Sequence, residues 1–254
     1  MMSVTKTKIA FFDFTGCEGC QLTVIDTLQT SLDLLDAVDI VQFREAMSEK
    51  GEDYQVAFVE GACTHEGDED RLRAIRARAD IVVALGACAH LGGVNAMRNR
   101  QSLEHVSRYV YGASGNAHKS HDVRPISAVI PVDAIIPGCP IDRGELARTI
   151  KLLLQNRQPQ LPDYPVCAEC KLRENACVIW NGQLCLGPVT RAGCGAICPS
   201  CGQGCLGCRG MVSDPNKDWL EASLLEHGVE KEILDAAMRL FLTHELEVKE
   251  YVHR

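Results

Sequence analysis

The sequence predicts an α/β protein, a parallel sheet covered by helices, followed by an irregular cysteine-rich module and a terminal helix. Three observations carry this expectation. Short apolar runs alternate with helix-compatible stretches over residues 1–160, a proline-rich boundary follows, and nine of the 14 cysteines crowd between Cys167 and Cys208.

The runs Lys8–Phe14, Val38–Phe43, Gln55–Val59, Asp80–Leu85 and Ala134–Ile136 are rich in Val, Ile and Phe and read as buried strands. Between them, Gln21–Leu35 and Glu69–Ala79 suit helices, the second with Leu72, Ile75 and Ala79 at helical spacing. Such alternation predicts a parallel sheet covered on both faces. Residues 156–166, NRQPQLPDYPV, hold three prolines and no periodic apolar pattern, which divides a domain at 1–160 from one at 161–254. Within Cys167–Cys208 glycines and prolines replace any helix or strand pattern, so metal ligation rather than a hydrophobic core is expected to order that segment. From about Asp218 helical periodicity returns, with Ile233, Leu234, Ala237, Met238, Phe241 and Leu242 forming one apolar stripe expected to pack on the body or on a partner.

A chain of 254 residues with 46% hydrophobic content supports one sizeable core plus a smaller module. Its 34 acidic and 26 basic residues give a net charge of −8 without a basic stripe, which argues against nucleic acid as a partner. No apolar run is long enough for direct membrane insertion. The opening MMSVTKTKIAFFDF lacks a separate apolar core or twin-arginine signal, so a cytoplasmic location is expected. In that reducing compartment 14 cysteines point to metal rather than disulfides.

Ligand sites of open parallel sheets form outside the carboxyl ends of the strands. Cys17 and Cys20 follow the first strand, Cys63 the third, Cys88 the fourth and Cys139 the fifth. One buried cysteine is ordinarily a small hydrophobe, but five at strand ends exceed the four ligands of a cubane cluster. Gly16, Gly19, Gly86 and Gly138 let backbone approach a bulky inorganic core. A flavin or nucleotide phosphate would be the alternative, yet no GxGxxG or GxxxxGK[ST] follows a strand. His65 and His90, though near cysteines, read as satisfied loop histidines.

The strings CEGC after the first strand, VEG, GAC at Cys88 and PGCP at Cys139 resemble the small subunit of nickel–iron hydrogenases and its relative, the 20 kDa subunit of complex I. The complex I relative carries two adjacent cysteines that this chain lacks, which favours hydrogenase. The resemblance implies a flavodoxin-like first domain whose Cys17, Cys20, Cys88 and Cys139 hold a proximal cluster, with Cys63 spare. Glu60 falls where the family keeps an acidic residue near the active-site interface; a proton path and a plain structural carboxylate both remain open for it.

The second domain reads Cys167-x2-Cys170-x6-Cys177-x7-Cys185-x8-Cys194-x3-Cys198-x2-Cys201-x3-Cys205-x2-Cys208. A zinc ribbon would use four of these and leave five idle. The strings CLGPVTRAGCGAICP and CLGCRG resemble small subunits of soluble hydrogenases found with heterodisulfide reductase, coenzyme F420 or pyridine-nucleotide partners. Exported hydrogenases ligate their outermost cluster through a histidine, and none occurs here between His121 and His227. Family spacing implies a distal cluster on Cys167, Cys170, Cys177 and Cys185 and a medial one on Cys194, Cys198, Cys205 and Cys208, with Cys201 spare; crossed pairing is the alternative.

The resemblance therefore implies three 4Fe-4S clusters that carry electrons between a nickel–iron large subunit and an acceptor subunit bearing flavin or iron–sulfur groups. This chain lacks the C-terminal CxxC that holds nickel, so the hydrogen chemistry belongs to the partner. The competing readings are an iron–sulfur subunit of a complex I-like or other oxidoreductase, and a zinc-stabilised interaction protein.

Overall fold

The computed structural model describes residues 6–117 and 119–252. The stretch before Lys6, part of the segment that bears on an export signal, lies outside the described residues. The chain divides into two compact units, 1–159 and 160–254.

The first unit contains strands β1 (Thr7–Asp13), β2 (Val38–Phe43), β3 (Val56–Glu60), β4 (Cys63–His65), β5 (Ile81–Leu85), β6 (Ser120–Arg124) and β7 (Ala134–Ile136). Its helices are α1 (Gly19–Thr30), α2 (Leu32–Ala37), α3 (Asp68–Arg78), α4 (Gly86–Leu91), α5 (Leu103–Tyr111) and α6 (Arg143–Leu154). The main sheet is parallel in the order β2-β1-β3-β5-β7, the flavodoxin-like arrangement. The strands take this form because they are short, largely apolar runs, with β3 buried throughout and the edge strand β2 buried only at Val38 and Phe43. One face packs Ile9, Phe11, Phe58 and Val83 against Val24 and Leu28 of α1 and Leu146 and Ile150 of α6. The other packs Ala10, Ala57, Val59 and Val82 against Leu72 and Ile75 of α3. Phe11 lies 4.5 Å from Phe43 and 4.9 Å from Phe58 between ring centroids, joining three strands through one aromatic stack. Helix α3 also follows its own charge pattern, with Asp68, Glu69 and Asp70 in its first turn and Arg76 and Arg78 in its last.

Register sets the position of the site. Asp13 pairs with Glu60, Glu60 with Leu85 and Leu85 with Ile136, so β1, β3, β5 and β7 finish level. The loops that leave them emerge along one edge.

Three local expectations are corrected. The helix expected over Gln21–Leu35 breaks at Ser31 into α1 and α2; the Thr23, Thr27 and Thr30 hydroxyls bond back to preceding helical carbonyls, a competition that weakens regular helix. Cys63 does not simply end a strand loop but begins β4, which pairs antiparallel with β6 in a separate ribbon. His90 sits in helix α4 rather than in a loop.

The second unit contains α7 (Val166–Leu172), α8 (Ile197–Ser200), α9 (Lys217–Glu226) and α10 (Lys231–Val252). It does possess an apolar core, contrary to the expectation for the cysteine-dense segment. Val166, Val178, Ile179, Leu186, Val189 and Ala196 pack with Leu220 and Leu224 of α9 and Leu234 and Ala237 of α10. The partners come from outside the segment, which is why its own pattern hid them. Ile233 does not share the α10 stripe, being 49% exposed, whereas Leu234, Ala237, Phe241 and Leu242 are buried. No helix among the described residues is long and apolar enough to cross a membrane.

Candidate metal centre

The level strand ends bring four thiols together in the first unit. Cys17 lies in the turn after β1, Cys20 in the first turn of α1, Cys88 in α4 after β5, and Cys139 in the turn after β7. Their proximity shows in their acidities. Burial first, then Cys139 and Cys17, push the Cys88 thiol up to about 12. Burial, the Glu60 carboxylate and the Cys88 and Cys139 thiols raise Cys20 further. Burial and Cys17 raise Cys139.

Glycine leaves the room. Gly86 has φ +83°, and a Cβ there would stand 2.4 Å from the Cys20 sulfur. Gly93 has φ +58°, and its Cβ would meet the Cys88 sulfur at 2.9 Å. Any side chain at either position would displace a thiol from the group.

Glu60 is 4% exposed at the end of β3. Its carboxylate accepts the backbone N–H of Cys20 at 3.1 Å and of Gln21 at 3.0 Å, pinning the first turn of α1 to the sheet. Burial raises its pKa against the opposing pull of those two amides. The Gln21 side chain is fully buried beside it, with neither polar atom in full hydrogen-bond geometry. The Asn95 side-chain amide donates to the Cys88 sulfur at 3.7 Å.

Cys63 stands apart from this group. It is fully buried, its sulfur 3.7 Å from His121 Nε2 and 3.9 Å from the Arg124 guanidinium, and burial followed by the charges of Arg124, Asp68 and Glu69 governs its thiol. His65 bonds Thr64 and lies near Asp68.

In the second unit Cys167, Cys170, Cys177 and Cys185 line one cavity together with Val166, Val178 and Ile179. Burial and then Cys185, Cys170 and Cys177 push Cys167 up to about 11. The Cys185 sulfur accepts the backbone N–H of Cys205 at 3.3 Å and of Gly187 at 3.4 Å. The remaining cysteines form two neighbourhoods: Cys198 with Cys194 and Cys201, and Cys205 with Cys208 and Cys185. Cys201 is exposed at the end of α8, close to Cys198 rather than remote from it.

Among the described residues no three His, Cys, Asp or Glu close tightly enough to hold a single metal ion. The four-thiol groups are wider, and their chemistry suits a polynuclear cationic core. Burial and neighbouring thiols hold the proton on Cys20, Cys88, Cys139 and Cys167, and a metal core would compensate the thiolate charge that these surroundings otherwise disfavour. With glycine clearance at Cys20 and Cys88 and amides at Cys88 and Cys185, the residues present fit an iron–sulfur cluster.

Sequence reasoning did not find Asn95, His121, Arg124 or Asn175, the last of which donates to the Cys170 sulfur at 3.7 Å. Their residue types and spacing carry no metal signal.

The family described as NADH ubiquinone oxidoreductase, 20 Kd subunit, is matched over residues 17–153. The chain is 39% identical over 211 residues to the delta subunit of sulfhydrogenase 2 from Pyrococcus furiosus, covering 82% of this chain and 88% of that one. It is 33% identical to a subunit of the vhu F420-non-reducing hydrogenase of Methanocaldococcus jannaschii, covering 83% of this chain and 84% of that one. Among solved structures, an NAD+-reducing [NiFe]-hydrogenase in its H2-reduced state matches with a TM-score of 0.57 and 28% identity, over 62% of this chain and 96% of that one. The [NiFeSe] hydrogenase of Desulfovibrio vulgaris Hildenborough matches in fold, with a TM-score of 0.54 and 17% identity over 85% and 96%. The chain belongs to the NADH ubiquinone oxidoreductase 20 Kd subunit family, on the branch that holds the hydrogenase subunits.

Proposed function

We propose that this chain is the electron-relay subunit of a cytoplasmic nickel–iron hydrogenase, working beside a large subunit that holds the nickel and an acceptor subunit that exchanges electrons with it. The supporting observation is the convergence of Cys17, Cys20, Cys88 and Cys139 at one sheet edge while Cys63 turns into a separate ribbon. When bound, three 4Fe-4S clusters supply one-electron transfer.

The residues of the chain bind and shield. Cys17, Cys20, Cys88 and Cys139 are the ligands in the first unit, and Cys167, Cys170, Cys177 and Cys185 those of one group in the second. Cys194, Cys198, Cys205 and Cys208 are the ligands of the third, leaving Cys63 and Cys201 free. Glu60 fixes the backbone at Cys20 and Gln21 through one hydrogen bond to each, a positioning role that its burial favours over bulk proton exchange. The apolar walls of the second-unit cavity partly withdraw the thiols there from water.

Iron and acid-labile sulfide analysis of the anaerobically purified complex tests the reading. About twelve iron atoms per chain are expected, with nickel confined to a co-purifying chain, and replacing Cys63 or Cys201 with serine should leave the iron unchanged. About four iron atoms per chain in a fully loaded complex, or a partner without nickel, would refute it.

A further inference from the structure

Each of two four-thiol groups has one side-chain amide aimed at one of its sulfurs. In the first unit Asn95, within the 3-10 turn Val94–Arg100, donates through its amide to Cys88 at 3.7 Å and to the Thr15 carbonyl at 3.5 Å. In the second, the Asn175 amide donates to Cys170 at 3.7 Å and to the Ser200 hydroxyl at 3.0 Å. The Asn175 backbone N–H reinforces this by donating to the Cys170 carbonyl at 3.2 Å. Both side chains are half-buried, so their donors are partly withdrawn from competing water.

Building on the proposed ligand sets, we propose that Asn95 and Asn175 are positioning residues that set the reduction potentials of two separate clusters, each through a single N–H···S bond. An amide dipole pointing at a ligand sulfur stabilises the more negative, reduced charge state of whatever metal core that sulfur holds. It therefore raises that potential. The two asparagines touch different groups, so each acts on one cluster and leaves the others alone. Asn175 has a second property: through Ser200 it ties the turn after α7 to α8, next to Cys198 and Cys201. A structural tie and an electrostatic adjustment are thus combined in one side chain and separable by substitution.

The test is a redox titration of the holo complex followed by EPR, with iron counted in every preparation. Asn95→Leu and Asn175→Leu remove the donor at similar volume. Each is expected to move one transition to a more negative potential, a different transition in the two variants, at unchanged iron content. Asn95→Asp and Asn175→Asp place a carboxylate where the donor stood and should move the same transitions further in the same direction. Ser200→Ala breaks the tie to α8 but spares the bond to Cys170, and should leave every potential in place. Unmoved potentials in fully loaded Leu and Asp variants would overturn the proposal. So would cluster loss in both variants at a position, or a Ser200→Ala shift equal to that of Asn175→Leu. If the wild-type complex lacked reducible clusters, the proposed function would fail first, and separately.

Discussion

In the first unit the grouped thiols stand at the rim of a sheet whose two apolar faces are complete in themselves, and of the four only Cys20 belongs to the core. In the second unit Cys185 and Cys205 are core residues, and Cys170, Cys177 and Cys194 pack against that core. The difference separates two ways of building a metal centre. On the proposed ligand sets, the strand-end site would be held by a sheet that folds without it, whereas in the second unit, where thiols are part of the apolar core, ligation and folding are expected to be coupled.

The contrast can be broken most severely by deleting one ligand from each unit. Cys88→Ser is expected to lose about four of about twelve iron atoms while the iron of residues 160–254 stays. Cys170→Ser should lose its cluster and also open residues 160–254 to limited proteolysis, with 1–159 remaining intact. Equal protease resistance in both variants would erase the distinction. A second, slightly smaller effect follows from removing iron altogether under anaerobic reducing conditions. The fragment spanning the sheet should survive digestion, and the cysteine-rich fragment should not.

Core truncation sharpens the comparison from the other side. Phe58→Ala deletes a buried ring from the stack with Phe11 and should cost about 3–5 kcal/mol of first-unit stability in denaturant melts, with iron per folded chain unchanged. The smallest expected effect concerns His244 on α10, whose pKa burial holds below the usual imidazole value of 6.5. The folded state resists the proton that the unfolded state accepts. Stability is therefore full above the unfolded value and falls as pH drops below about 6.5. Melting temperatures across that range should decline less in His244→Phe than in the parent.

Much of the sheet was legible because buried parallel strands are continuous apolar runs, and Val38–Phe43 and Ala134–Ile136 are bounded as the sequence suggested. The β4–β6 ribbon was not, since Cys63-Thr64-His65 and Ser120–Arg124 hold few apolar residues and pair across a long sequence gap. The second-unit core escaped notice because Val178, Ile179, Leu186 and Val189 find partners in helices a separate stretch away. The placement of Cys17, Cys20, Cys88 and Cys139 after β1, β5 and β7 could be anticipated from the strands they follow. Asn95 and Asn175 could not, because asparagine in a turn is ordinarily there for backbone reasons.

The level ending of β1, β5 and β7 also carries a consequence in time. The first-unit thiols are drawn from Cys17 to Cys139, so they come together only once β1, β3, β5 and β7 have paired. Cys167 to Cys185 form a short loop whose closure is entropically cheap. On the proposed ligand sets a maturing chain is expected to fill the local sites of 160–254 before the strand-end site, so that an interrupted one would carry iron at its tail and an empty rim.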